Sequence, residues 1–272
     1  MFCVKNDILN KNVMKNILSI LLLLSLMVGC KSSAGKTSIT EPISEYGSQE
    51  DEMKYYFTAT GNEPFWGLKM GNENTVFTSL IPGKEKLVFS SVEAVKAMDA
   101  NVKMYKVSNE TSRATITIQQ LDCQNSMSGI ILSYKVSIEI KSNTELESTK
   151  MDGCGKYNTD YRLHDIWVLE ELNGFKVFIT DFQRELPRIE INSTENTFMG
   201  YGGCNAISGT IFYEKDLLRF SKVISTLMAC ASGNKENEFS KALQSTTTYS
   251  IENNRLTLSN PSGKLLVFRK VD

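Results

Sequence analysis

One histidine and six cysteines bound the chemistry open to this chain. His164 stands beside Asp165, yet a nucleophilic triad needs a serine or cysteine and an orienting group converging in space, which adjacency in sequence does not supply. It is therefore read as a junction histidine, exposed or hydrogen-bonded. Cys204 follows Gly202-Gly203, a setting that mimics a nucleophile's, but a cysteine held in a disulfide offers no thiolate. The same glycine pair lacks the Lys and Ser or Thr of a phosphate loop. Glu63 lies between Asn62 and the apolar Pro64-Phe65-Trp66, where its carboxylate would be partly desolvated. Such an acid marks either a site or a buried, hydrogen-bonded carboxyl, and the structural role is favoured. Pro64 sets the turn, while Phe65 and Trp66 supply aromatic area to a core or a rim. Trp167 is likewise read as a core anchor rather than a ligand platform.

The compartment decides what the cysteines do. Lys5, Lys11 and Lys15 lead into an apolar run from Ile17 to Val28 that ends in small residues before Cys30. A positive start, a short apolar core and a small-residue cut are the pattern of an export signal. About a dozen residues fall short of the roughly 20 that span a bilayer as a helix. Met27-Val28-Gly29-Cys30 resembles the lipobox of bacterial lipoproteins, with Met27 in place of the usual Leu. That resemblance implies removal of residues 1–29 and acylation of Cys30. Two or three acyl chains would then hold the membrane without help from charge. Lys31 is not the aspartate of an inner-membrane retention signal, which favours the outer membrane. The mature chain would carry 27 basic and 30 acidic side chains, a balance with no footprint for nucleic acid.

Cys3 leaves with the signal, so Cys123, Cys154, Cys204 and Cys230 remain. An even count in an exported chain argues for disulfides. Of the three connectivities, proximity within each half favours Cys123 with Cys154 and Cys204 with Cys230. The C-x₂-C spacing of a zinc site is missing, so neither a metal nor a cofactor is expected.

The elements that must position these residues are strands. Residues 30–52 are polar and charged with little to bury, as expected of a flexible tether. The rest divides into domains at 53–160 and 161–272. In the first, strands are expected at 55–59, 75–78, 86–89, 114–118 and 133–140, the last two with clear period-two alternation. Gly71-Asn72 and Pro82-Gly83 supply turns, and Val92 to Met98 is expected to hold a helical turn. In the second, strands are expected at 166–172, 188–191, 197–200, 209–213, 217–220, 249–251, 255–258 and 264–268. Asn173-Gly174 is suited to a tight type I′ hairpin. One helix is expected there, capped by Asn234, with Glu236 and Glu238 at its positive end and Phe239, Ala242 and Leu243 on one face.

Residues 165–271 resemble the META, or HslJ-like, domain of bacterial envelope proteins. The resemblance is carried by Trp167 and Leu169, Leu172-Asn173-Gly174, Gly202-Gly203-Cys204-Asn205, Ser208-Gly209, Ser225 to Cys230, Glu238-Phe239 and Leu256-Thr257-Leu258. It implies a lipocalin-like barrel with α+β content, links to heat stress and antibiotic tolerance, and no established reaction. Residues 55–157 are similar to an uncharacterised envelope family through Gly61-Asn62-Glu63-Pro64-Phe65-Trp66, Cys123, Met127-Ser128 and Gly153-Cys154-Gly155. Gly129 to Tyr134 departs from that family's pattern. The expected fold is thus mainly β, two small antiparallel lipocalin-like barrels in tandem, the second with a covering helix. The expected function is a membrane-anchored, non-enzymatic binding or stress-tolerance module, with an envelope protein or a small apolar ligand as partner. Inhibition of a wall-degrading enzyme such as lysozyme is the alternative, and an uncharacterised hydrolase a more distant one.

Overall fold

A computed structural model describes residues 54–271. The signal segment, Cys30 and the tether lie outside the described residues. The first sheet contains β1 (Tyr55–Asn62), β2 (Phe65–Gly71), β3 (Asn74–Ser79), β4 (Lys86–Ser90), β5 (Val95–Lys96), β6 (Val102–Ser108), β7 (Ser112–Gln124), β8 (Ile131–Ser142) and β9 (Thr149–Tyr157). Its spatial order is β4-β3-β2-β1-β9-β8-β7-β6-β5, antiparallel throughout. The sheet curls until β4 approaches β6, but among the described residues no strand pairing closes it, so the first of the two expected barrels is a half-barrel. There the seam is bridged by a side chain, Asn109 Nδ2 donating to the Val88 carbonyl at 3.0 Å.

The second sheet contains β10 (Ile166–Leu172), β11 (Phe175–Lys176), β12 (Arg188–Asn192), β13 (Thr197–Tyr201), β14 (Ala206–Glu214), β15 (Leu217–Ser225), β16 (Thr248–Glu252), β17 (Arg255–Asn260) and β18 (Gly263–Lys270). Pairing of β10 with β18 closes it into a barrel, which leaves few strand edges bare. Its weakest seam joins β15 to β16 through the single pair Leu217 and Thr248. The chain between those strands forms α1 (Glu236–Gln244), which packs on β15, β18 and β10. Phe239, Ala242 and Leu243 are its buried face, as their spacing predicts, and Phe239 meets Phe268 edge-on.

Side chains fill both interiors. Phe57, Trp66, Phe77, Phe89, Ile116 and Ile138 are buried in the first. Trp167, Leu169, Phe198, Phe220, Phe239 and Phe268 are buried in the second. The Asn173-Gly174 turn has φ of 51° and 84°, the left-handed pair that a two-residue hairpin needs. The segment from Val92 to Met98 corrects the sequence reading. It holds no helical turn; Val95 and Lys96 pair with Met104 and Lys103. Val92, Val95 and Met98 are all exposed, so no surface rewards a helical face there. Strands β2, β6 and β9 were not anticipated from the sequence.

Candidate functional site

The Gly-Gly-Cys-Asn and Thr-Leu-Met-Ala-Cys segments of the second barrel converge on one carboxylate. Cys204 and Cys230 form a disulfide with Cα atoms 5.8 Å apart. Glu236, at the start of α1, accepts the Cys204 amide at 3.1 Å and the Asn205 amide at 2.6 Å on Oε1, and Asn205 Nδ2 at 2.7 Å on Oε2. Asn205 Oδ1 in turn accepts the Thr226 hydroxyl at 2.9 Å and the Met228 amide at 2.7 Å. Asn234 Oδ1 accepts the Glu236 amide at 2.7 Å, but the N-cap is Lys235, so Asn234 turns the chain one residue before the cap instead of being the cap expected from the sequence. Asn205 is only 5% exposed, so its side chain must find its partners within the protein, while Thr226, Met228 and Cys230 around it are exposed. Gly203 takes φ of 111°, where a Cβ would also strike Phe182. The two sulfurs and a Glu236 oxygen lie within 4.8 Å of one another, but sulfurs bonded to each other hold no thiolate for a metal or a substrate. The arrangement is a clamp joining the start of β14, the loop after β15 and the helix.

The motifs of the first barrel also meet in one place. Cys123 and Cys154 form a disulfide with Cα atoms 5.4 Å apart. Cys154 belongs to the outer face of β9, between the inward-facing Gly153 and Gly155, yet it is buried. The tip of the β7–β8 hairpin covers it. The pairing of those strands is offset between Gln120 and Cys123, as where a bulge bends a hairpin, and the tip lies over the outside of the sheet. Asn62 Nδ2 fixes it there by donating to Asn125 Oδ1 at 3.1 Å and to Ser126 Oγ at 2.8 Å. On the inside of the same strands the Trp66 indole lies across Gly61 and Gly153, where any Cβ would collide with it. Trp66 Nε1 is buried without a hydrogen-bond partner.

The remaining candidates separate. Glu63 is exposed, which overturns its expected desolvation; the turn before β2 carries it into solvent, with Phe65 exposed beside it and Trp66 turned inward. Trp167 is 1% exposed and donates Nε1–H to the Leu163 carbonyl at 3.0 Å, a core anchor as read. His164 is exposed and its Nδ1 accepts the Ser193 amide at 3.3 Å. Asp165 turns to Lys270 Nζ at 2.7 Å instead.

Two features gave no clear sequence signal. The first is a buried charge at the junction of the barrels. Glu214, 3% exposed at the end of β14, enters the first barrel. There it meets Lys103 Nζ at 2.6 Å, Asn101 Nδ2 at 2.7 Å and the Tyr134 hydroxyl at 2.5 Å. Burial, followed by that contact with Glu214, drives the Tyr134 phenol well above its ordinary range. Beside it, Tyr249 donates to Asp160 Oδ2 at 2.9 Å, and Arg162 is bonded to the same carboxylate. Burial alone would raise Asp160, but the bonds from Arg162 and Tyr249 outweigh it and lower the pKa.

The second is a groove of about 500 Å³ on the outside of the second barrel. Register builds it: Ile166 pairs with Glu190, Glu190 with Met199, Met199 with Ser208, and Ser208 with Ile224. Directly opposed residues share a sheet face, so Ile166, Met199 and Ile224 alternate with polar neighbours along one outward row. All three are exposed.

No curated protein matches the chain. Two solved NMR structures are similar: one, 24% identical with a TM-score of 0.33, covers 40% of this chain and 90% of its own. The other, from Burkholderia xenovorans, is 19% identical with a TM-score of 0.33 and covers 40% of this chain and 82% of its own. Residues 161–272, the closed barrel with its disulfide clamp, match the META domain family.

Proposed function

We propose that the protein is a lipid-anchored, non-enzymatic binding module of the cell envelope, acting in stress or antibiotic tolerance and recognising its partner through the outer groove of the META barrel. The observation that carries this reading is how the reactive residue types are used. Cys204, Cys230, Asn205 and Glu236 are occupied in one clamp, and Cys123 and Cys154 in another. Meanwhile Ile166, Met199 and Ile224 stand exposed along a groove. Filled barrel interiors move recognition of an apolar ligand to such an outer surface. Two disulfides agree with a chain that matures in an oxidising compartment, where Cys30 would carry the lipid and the outer membrane would be its destination.

The test places a photo-crosslinking residue at position 199 of the full chain in its native envelope, with position 150 on the first barrel as control. A discrete adduct to protein, glycan or lipid is expected at 199 only. Equal or absent adducts at both positions would overturn the groove. An alkyne fatty acid should label the chain and fail to label Cys30→Ala; label on both would overturn the anchor. Loss of lysozyme activity in excess protein would instead assign the chain to inhibition of a wall-degrading enzyme.

A further inference from the structure

The tip of the β7–β8 hairpin displays side chains that a water-exposed loop has no use for. Met127 is 69% exposed, Ile130 59% and Ile131 64%, with Leu121 exposed at the base of the same hairpin. From Cys123 to Tyr134 the sequence is Cys-Gln-Asn-Ser-Met-Ser-Gly-Ile-Ile-Leu-Ser-Tyr, twelve residues without a charge. Phe65 is exposed on the strand that follows the turn to which Asn62 fastens the tip. We propose that this disulfide-pinned hairpin tip is a membrane-contact site that seats in the interfacial zone of a lipid bilayer.

Three observations favour lipid over a protein partner. Most amides of the tip are bonded within it: Asn125 Oδ1 accepts those of Met127 and Ser128, the Asn125 carbonyl accepts Gly129, Ser128 Oγ accepts Ile130, and Asn125 donates to the Ile130 carbonyl. Amides bonded in this way lose less on approaching lipid, which offers peptide groups nothing, and the carbonyls left at the turn can keep their water in the interfacial zone. Second, Leu121 to Ser133 contains no aromatic residue and no arginine, the types that anchor protein interfaces. Third, the 24 residues from Cys30 to Met53 can extend at most ~80 Å, which holds the domain near any bilayer to which Cys30 is fastened. A weak apolar contact gains from that tethering, since the second contact is then intramolecular. The inference thus rests on the anchor proposed above for its setting, while the apolar tip itself stands independently of it.

Trp66 and Trp167 are 4% and 1% exposed, so a new surface tryptophan can be read against a shielded background. The full chain carrying Met127→Trp is mixed with phosphatidylcholine vesicles containing brominated lipid. Leu146→Trp, at the exposed turn between β8 and β9, serves as control. A blue shift and quenching are expected at 127, neither at 146, with both effects lost when Ile130→Asp and Ile131→Asp are added to the Met127→Trp chain. Absence of quenching at 127, equal quenching at 146, or quenching that survives the two aspartates would each overturn the proposal. Mass spectrometry of Cys30 reads the anchor separately. Acylation without quenching at 127 sinks the contact site and leaves the anchor; quenching without acylation does the reverse.

Discussion

Asn205 shows how a residue can be prominent in a motif without acting on a substrate. Its amide group serves two carbonyl-side contacts, Thr226 and Met228, and one carboxylate contact, Glu236. They matter because the Asn205 side chain is itself shielded from water. Replacing Asn205 by Ala leaves the half-buried Glu236 carboxylate short of one partner, at roughly 1–3 kcal/mol, while Met228 lies in an exposed segment. The expected loss is therefore about 1–3 kcal/mol, read as a fall in the urea midpoint of the oxidised protein with an unchanged slope. A midpoint equal to wild type would show that solvent already reaches the cluster. Trp66 makes the complementary case, since its indole dictates glycine at 61 and 153 from across the barrel. Those glycines were visible as part of a motif, but what they make room for was not.

Elements were legible where alternation was clean and hidden where the interior is not apolar. β7 and β8 alternate buried and exposed residues over much of their length, and both were anticipated. β9 places Met151, Gly153, Gly155 and Tyr157 inward, and two glycines in that series erase a hydrophobic period. β6 carries the buried Lys103 on its inner face for a similar loss of pattern. Conversely, Val92 to Met98 has helix-like spacing but no surface to bury it. The β7–β8 hairpin depends on its disulfide, whose sequence separation is 31. Closing a loop of that size contributes about 3–4 kcal/mol by the chain-entropy estimate. In the double variant Cys123→Ser, Cys154→Ser, hydrogen exchange should accelerate first at Asn125 to Leu132, while α1 keeps its protection. Uniform acceleration through both barrels would mean that the hairpin is not a separate stabilising unit.

Across the whole molecule the decisive residue is Glu214, which belongs to one barrel and is buried in the other. Lys103 also lies 5.1 Å from the Tyr157 ring, and Tyr213 packs against both cores. Removing one partner of a buried pair strands the other charge, at a cost of about 3–5 kcal/mol. A single calorimetric transition is expected of the parent, and Glu214→Ala should lower the first barrel's transition and resolve it from the second's. A single, unshifted transition would mean that the junction does not couple the barrels.

What the sequence determined by itself was composition-level and local. The cysteine pairing was read from proximity, and the β class from alternation and turn residues, because each depends on near neighbours and on solvent. The hairpin folded back over β9, the outward row of Ile166, Met199 and Ile224, and the carboxylate buried between barrels belong to the tertiary structure. Each joins residues far apart in sequence, through strand register or through burial in a neighbouring core. Neither quantity exists until the sheets have closed.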